Sequence, residues 1–305
     1  MSRRLGISLG VDLVPYKYCP LNCVYCEVQR TTHLETTREE FFPLEDICQE
    51  LRAFLRGKPE LDHITFSGAG EPTLYSRIGE LIAFIKTNFP AYKLALLTNG
   101  VLLDDPQLRQ DILPCDIVLP SLDAVSEEVF QKLNRPKAGL LASTLVESLV
   151  ALRQEYTGKI WLEVFIIQGL NDHDEELYLL REAIGRIKPD LVQINSLDRP
   201  GAEDWVQAAD TELLSRIKDL FSETLNCPVE IIAKVEYKKY SHPVDSEARE
   251  VVKSLLVRRP CTAEDMASIL NLHINEISKI LRQFSSDGRV VSHREERGIF
   301  YQWKS

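Results

Sequence analysis

An α/β fold is what the sequence predicts. It would be a partial (β/α)6 barrel of the TIM type over residues 1–233, a linker over 234–245 and a small, mostly helical domain over 246–305. Three observations predict it. Short β-rich runs alternate with amphipathic helical patterns through the first two-thirds of the chain, an order that favours a parallel sheet with right-handed crossovers. Two of those runs end in tight turns that glycine permits, Ser67-Gly-Ala-Gly70 and Asn99-Gly100. From Ser246 the pattern changes to closely spaced helices and a closing hairpin.

In chain order, the strands are expected at Ser8–Val14, His63–Ser67, Tyr92–Thr98, Ile117–Pro120, Ile160–Ile166 and Leu191–Asn195. Apolar residues at helical spacing place helices between them at Leu44–Leu55, Ile78–Asn88, Gln107–Leu113, Glu127–Leu133, Leu140–Tyr156 and Asp174–Ile187. Asp210–Leu225 reads as a further helix and Pro228–Ala233 as a strand-like run. The polar stretch Lys234–Pro243 reads as linker. Glu247–Val257 is helical, and Thr262 with Asp265 three residues on caps a short helix to Leu270. Asn275 caps the next helix, to about Ser285, and Asp287-Gly288 turns into a hairpin of Arg289–His293 and Ile299–Trp303. In barrels built this way, chemistry sits on loops at the C-terminal ends of the strands.

Composition sets the class. Hydrophobic residues make up 44% and charged residues 27% of 305, ordinary for a globular protein with room for more than one domain. Gly6, Gly10 and Asp12 interrupt the first apolar run, which argues against a signal peptide, and no apolar run reaches the length needed to cross a bilayer. A net charge of −10 argues against a surface given over wholly to nucleic acid, although residues 246–305 carry ten Lys or Arg against eight Asp or Glu. Cys48, Cys115, Cys227 and Cys261 are scattered without a disulfide framework, which points to a reducing, cytoplasmic compartment.

The densest chemistry is Cys19-Pro-Leu-Asn-Cys23-Val-Tyr-Cys26, directly after the first strand. Three thiolates at this spacing can hold three irons of a cubane cluster and leave the fourth iron open to an exogenous ligand. The alternative is a zinc site completed by His33 or Cys48, but zinc sites usually pair Cys-x-x-Cys with a second, distant pair that the chain does not contain.

With Tyr25 before the last cysteine, the pattern resembles the radical S-adenosylmethionine (SAM) superfamily, over approximately Leu5 to Ala233. The resemblance implies a 4Fe-4S cluster on Cys19, Cys23 and Cys26, with SAM as second cofactor. It further implies SAM contacts at Tyr25, at Gly68, Gly70, Glu71 and Pro72 of the loop Phe66–Leu74, at Asn99, at Ser121 and Asp123, and at Gln168 beside adenine. Ala69 between the two glycines departs from the usual Gly-Gly-Glu-Pro form. An electron from a flavodoxin or ferredoxin would cleave SAM reductively, giving a 5′-deoxyadenosyl radical that abstracts hydrogen from the substrate. Lys17, Asn195 and Arg199 are the expected catalytic or substrate residues, with Asn134 and Arg135 beside them. Gly10–Cys19, Asn134–Pro136 and Asn195–Pro200 look like the wyosine-type, tRNA-modifying members, but the chain has no second cysteine-rich segment, so another substrate is expected.

The C-terminal pattern of three helices and a hairpin resembles a winged helix-turn-helix domain. Lys279 and Arg282 on its third helix and Arg289, Arg294 and Arg297 on its wing could meet phosphates. Two functions follow: an enzyme whose tail recruits RNA or a peptide, or an iron-sulfur sensor that regulates transcription through the winged helix. No membrane partner is expected.

Overall fold

The computed structural model describes residues 4–232, 246–270, 272, 274–295 and 297–304. The linker expected over 234–245 and His273 lie outside the described residues. The chain forms two compact units: one holds the N-terminal segment up to Val24, Arg30–Ser196 and Gln207–Ile232; the other holds Tyr25–Gln29, Leu197–Val206 and the chain from Ser246 onward.

In the first unit the elements are Ser8–Val11 (β1), Tyr18–Cys19 (β2), His33–Leu34 (β3), Leu44–Leu55 (α1), His63–Phe66 (β4), Ile78–Asn88 (α2), Lys93–Thr98 (β5) and Pro106–Ile112 (α3). They continue with Ile117–Pro120 (β6), Glu127–Leu133 (α4), Ala142–Glu155 (α5), Lys159–Phe165 (β7), Asp174–Ile187 (α6), Leu191–Asn195 (β8), Thr211–Ser222 (α7) and Val229–Ile231 (β9). Seven strands make one parallel sheet in the order β1-β4-β5-β6-β7-β8-β9. Strands covered by helices read as continuous apolar runs, and all four residues of β6 are indeed buried. The six expected strands are present, and the strand-like run after α7 adds a seventh at the β8 edge. The first strand ends at Val11 instead of Val14, because Leu13 and Val14 leave the sheet and bury their side chains in the loop that leads to the cysteines.

In the second unit Ser246–Arg258 (α8), Cys261–Thr262 (β10), Ala263–Ile269 (α9), Ile274–Ser286 (α10), Val290–Glu295 (β11) and Gly298–Trp303 (β12) follow in order. The strands form an antiparallel sheet ordered β10-β12-β11. Val252, Leu256, Met266, Ile277, Leu281 and Phe284 make its core, and Trp303 packs edge-on to Phe284 at 4.9 Å. The expected cap is present as a full capping box: Asp265 N–H donates to Thr262 Oγ1, and Thr262 N–H donates to the Asp265 carboxylate. Helix α10 starts at Ile274, one residue ahead of the expected cap Asn275.

Candidate active site at the C-terminal strand ends

The cysteine loop is held along its length by the end of α4. Val24 N–H donates to Leu133 O at 2.9 Å, Asn22 N–H to Asn134 O at 3.0 Å, and Lys137 N–H to Pro20 O at 2.8 Å, with a bridge between Leu21 and Pro136. Arg135 takes a left-handed backbone (φ 44°) that lets its carbonyl reach Asn22 N–H as well. Asn134-Arg-Pro136 is therefore a clamp for the cysteine loop. A third tie comes from Glu35, whose N–H donates to Cys19 O and whose carboxylate accepts from Lys137 at 2.7 Å. The Lys137 ammonium and the backbone N–H groups of Thr37 and Thr36 hold the Glu35 carboxyl down at about 2. Lys137→Ala should return its titration midpoint toward the ordinary glutamate value in a 13C NMR titration; a midpoint still near 2 would mean the backbone donors suffice.

Two side-chain amides point at cysteine sulfur. Asn99 Nδ2 lies 3.5 Å from Cys19 Sγ and Asn134 Nδ2 lies 3.4 Å from Cys23 Sγ. Their orientations are fixed from the other side. Asn99 Oδ1 accepts Val101 N–H, so its nitrogen must face the sulfur. Asn134 Nδ2 also donates to Asp123 Oδ2 at 3.0 Å, a partner that only accepts when ionised. Asn134 Oδ1 remains a buried acceptor with no hydrogen-bond partner.

The Gly68-Ala-Gly-Glu-Pro72 turn is packed against the same loop. Lys17 N–H donates to Ala69 O at 2.8 Å, and Glu71 N–H donates to Tyr18 O at 2.9 Å. A Cβ at Gly68 would sit 1.9 Å from Asp12 Oδ1, and its φ of +157° disfavours any other residue. Glu71 is 2% exposed, and its side chain is occupied by the protein: Thr73 N–H, Thr73 Oγ1 and Thr98 Oγ1 donate to one oxygen, and Asn99 N–H to the other. Burial pushes its carboxyl up, while those four donors pull it down. Glu71 thus ties down Asn99, while Pro72 opens the short 3-10 turn Pro72–Leu74.

The next strand ends are equally inward. Asp123 accepts from Phe165 N–H and Asn134 Nδ2, and its carbonyl accepts from Asn171, a fully buried residue the sequence reading passed over. Asn195 donates to Glu163 Oε1 at 2.9 Å and accepts from Ser196 N–H. Both side chains lock loops at the strand ends. Ser121 is half-buried where β6 ends and donates its N–H to Thr98 O, and Gln168 is exposed after β7. Lys17 is 2% exposed and left-handed (φ 64°).

Tyr25 and Cys26 belong to the second unit, together with Arg199. The Arg199 side chain is 8% exposed and contacts Glu27 at 3.5 Å and Asp265 at 3.4 Å, an ion network within that unit. Arg297, expected on phosphates, pairs with Asp198 and Asp265 instead.

All seven cysteines lie outside disulfides. Burial pushes the thiols of Cys48, Cys115, Cys227 and Cys261 up, which makes them poor thiolate donors. Among the described residues no three or more His, Cys, Asp or Glu side chains are already gathered as a ligand set, and Cys48 sits on α1 and His33 is stacked on Tyr18 at 4.2 Å. The donor chemistry of the loop suits a thiolate-bound cluster: amide N–H groups face the Cys19 and Cys23 sulfurs, and the Asn134 carbonyl oxygen is left over beside them.

A family model described as "Radical SAM superfamily" matches residues 13–180, more than half the chain. This chain belongs to the radical SAM superfamily. Members of that superfamily bind SAM and a 4Fe-4S cluster, and the chain is an enzyme of the radical SAM class. It is 32% identical over 273 residues to a UPF0026 protein of Helicobacter pylori, covering 89% of this chain and 86% of that one. It is 33% identical over 298 residues to a GTPase Obg of Brachyspira hyodysenteriae, spanning 97% of this chain but only 43% of that longer protein. Among solved structures, Streptococcus suis SuiB bound to S-adenosylmethionine superposes with a TM-score of 0.56 at 16% identity over 74% of this chain and 50% of that chain, a likeness of fold. No helix among the described residues is long and apolar enough to cross a membrane.

Proposed function

We propose that Cys19, Cys23 and Cys26 hold three irons of a 4Fe-4S cluster and that SAM binds beside it at the strand ends, making the chain an enzyme that abstracts hydrogen from a macromolecular substrate, RNA or peptide. The observation that carries this reading is the pair of asparagine amides on Cys19 and Cys23 sulfur, since N–H···S bonds stabilise sulfur as thiolate and tune a cluster's potential. When bound, the cluster supplies an electron and SAM the 5′-deoxyadenosyl radical.

The chain's own residues hold and shield that chemistry. Asn99 and Asn134 orient the sulfurs, Glu71 fixes Asn99, Asp123 fixes Asn134, and Asn134 Oδ1 offers an acceptor for the amino group of SAM. Ser121 and Gln168, at the ends of β6 and β7, are the remaining candidates for ribose and adenine. The wyosine-like segments Asn134–Pro136 and Asn195–Pro200 do scaffold work here, so that narrower likeness argues for a shared frame and leaves the substrate open.

The C-terminal unit has the helix–strand–helix–helix–hairpin order of a winged helix-turn-helix domain, with Lys279, Arg282, Arg289 and Arg294 exposed for an anionic partner. A flavodoxin or ferredoxin is the electron donor this chemistry calls for. The test is anaerobic reconstitution with iron and sulfide, followed by dithionite and SAM. About four irons per chain and release of 5′-deoxyadenosine are expected. A cluster that leaves SAM intact while the protein binds operator DNA tightly would favour the transcriptional sensor instead.

A further inference from the structure

The second unit contains a chain of charged side chains that runs from the residue after Cys26 to the tip of the hairpin. Glu27 pairs with Arg199, Arg199 with Asp265, and Asp265 with Arg297, whose guanidinium also meets Asp198. Asp265 is completely buried and also accepts Thr262 N–H, so moving it disturbs the start of α9. Arg297 stands in the turn between β11 and β12 with its guanidinium 5.1 Å from the Phe300 ring. The backbone around Cys26 is gripped at a second point: a Cβ on Gly201 would sit 3.1 Å from Tyr25 Cα and 3.3 Å from Tyr25 O. Three carboxylates and two guanidinium groups this deeply covered are poor sources of stability, because desolvation consumes most of the Coulombic gain. What such a network supplies is register: it accepts one arrangement of its members and penalises others.

We propose that Arg297, Asp265 and Arg199 are positioning residues for Cys26, so that the C-terminal unit sets the third cysteine of the cluster loop and any change at its hairpin is felt there. The assignment rests on the cluster reading for its consequence but not for its geometry. It also explains why Arg297 is withheld from the surface while Arg294, three residues earlier, is exposed.

The experiment measures alkylation of the full-length, iron-free protein by iodoacetamide, read cysteine by cysteine by mass spectrometry. R297A should raise the rate at Cys26 about tenfold, leave Cys19 and Cys23 within about twofold, and keep Cys261, fully buried in the core of the same unit, protected. R297K, which keeps the charge but not the fork that spans two carboxylates, should fall between wild type and R297A. R294A should match wild type. An unchanged Cys26 in R297A overturns the assignment. If R297A also exposes Cys261, the unit has loosened and E27Q decides: Cys26 rising alone upholds the assignment, and Cys26 at the wild-type rate removes it. Loss of iron binding in the wild type would sink the cluster reading yet leave this measurement intact.

Discussion

Gly70→Ala is expected to keep the sheet and lose the site. A Cβ at residue 70 would lie 2.2 Å from Tyr18 O, 2.7 Å from Val14 Cγ2 and 3.2 Å from Tyr18 C. The valine methyl can rotate away, but the carbonyl belongs to the residue before Cys19 and already accepts Glu71 N–H. Making room means moving the Tyr18–Cys19 backbone by about 1 Å and breaking that bond, and overpacking of this kind costs about 1–3 kcal/mol before the broken bond is counted. The variant should therefore bind less than about a tenth of the iron of wild type after reconstitution, with its far-UV spectrum unchanged, since the displaced sulfur loses register with its amide partner. Gly185→Ala is the matched control: it is helical, nothing lies within 4 Å of its added Cβ, and it should be neutral or stabilising by up to about 1 kcal/mol. Full iron loading in Gly70→Ala would refute the packing argument.

The contrast between those two glycines also marks what the sequence could and could not tell. Element types were legible because each strand or helix is decided within a dozen residues by periodicity, and helices such as Leu44–Leu55, Ile78–Asn88 and Glu127–Leu133 fall where the pattern puts them. The cysteine spacing was legible for the same reason. The seventh strand was readable as β-rich but not as part of the sheet, because its membership depends on pairing with β8, some thirty-five residues upstream. The site's inner bonds were out of reach altogether. Asn99 meets Cys19 across 80 residues, Asn134 meets Cys23 across 111, and Arg297 meets Asp198 across 99. Polar residues at strand ends look alike in sequence whether they turn inward or outward, so the partners of Asp123 (Phe165 N–H and Asn134), of Asn195 (Glu163) and of Arg199 (Glu27 and Asp265) could not be read from it.

Glu71 gives the sharpest test of that inward reading. If its carboxylate served SAM, Glu71→Gln would keep the fold and weaken SAM binding alone. The structure predicts a different outcome. Three donors converge on one oxygen and Asn99 N–H on the other, so a glutamine can satisfy one side but must turn its NH2 group on the other toward a donor. Leaving a buried N–H facing another donor costs about 1–3 kcal/mol, and losing charge on the remaining bonds adds about as much again. A drop of several degrees or more in melting temperature is expected even in the iron-free protein, where no SAM is bound. Because Asn99 N–H is the orphaned group, its side chain should also lose its hold on Cys19, and the reduced cluster's potential should fall in the fraction that still loads iron. Glu71→Gln with wild-type melting and weakened SAM binding would return Glu71 to the ligand role. Unchanged melting and unchanged potential together would show that the four hydrogen bonds carry no weight.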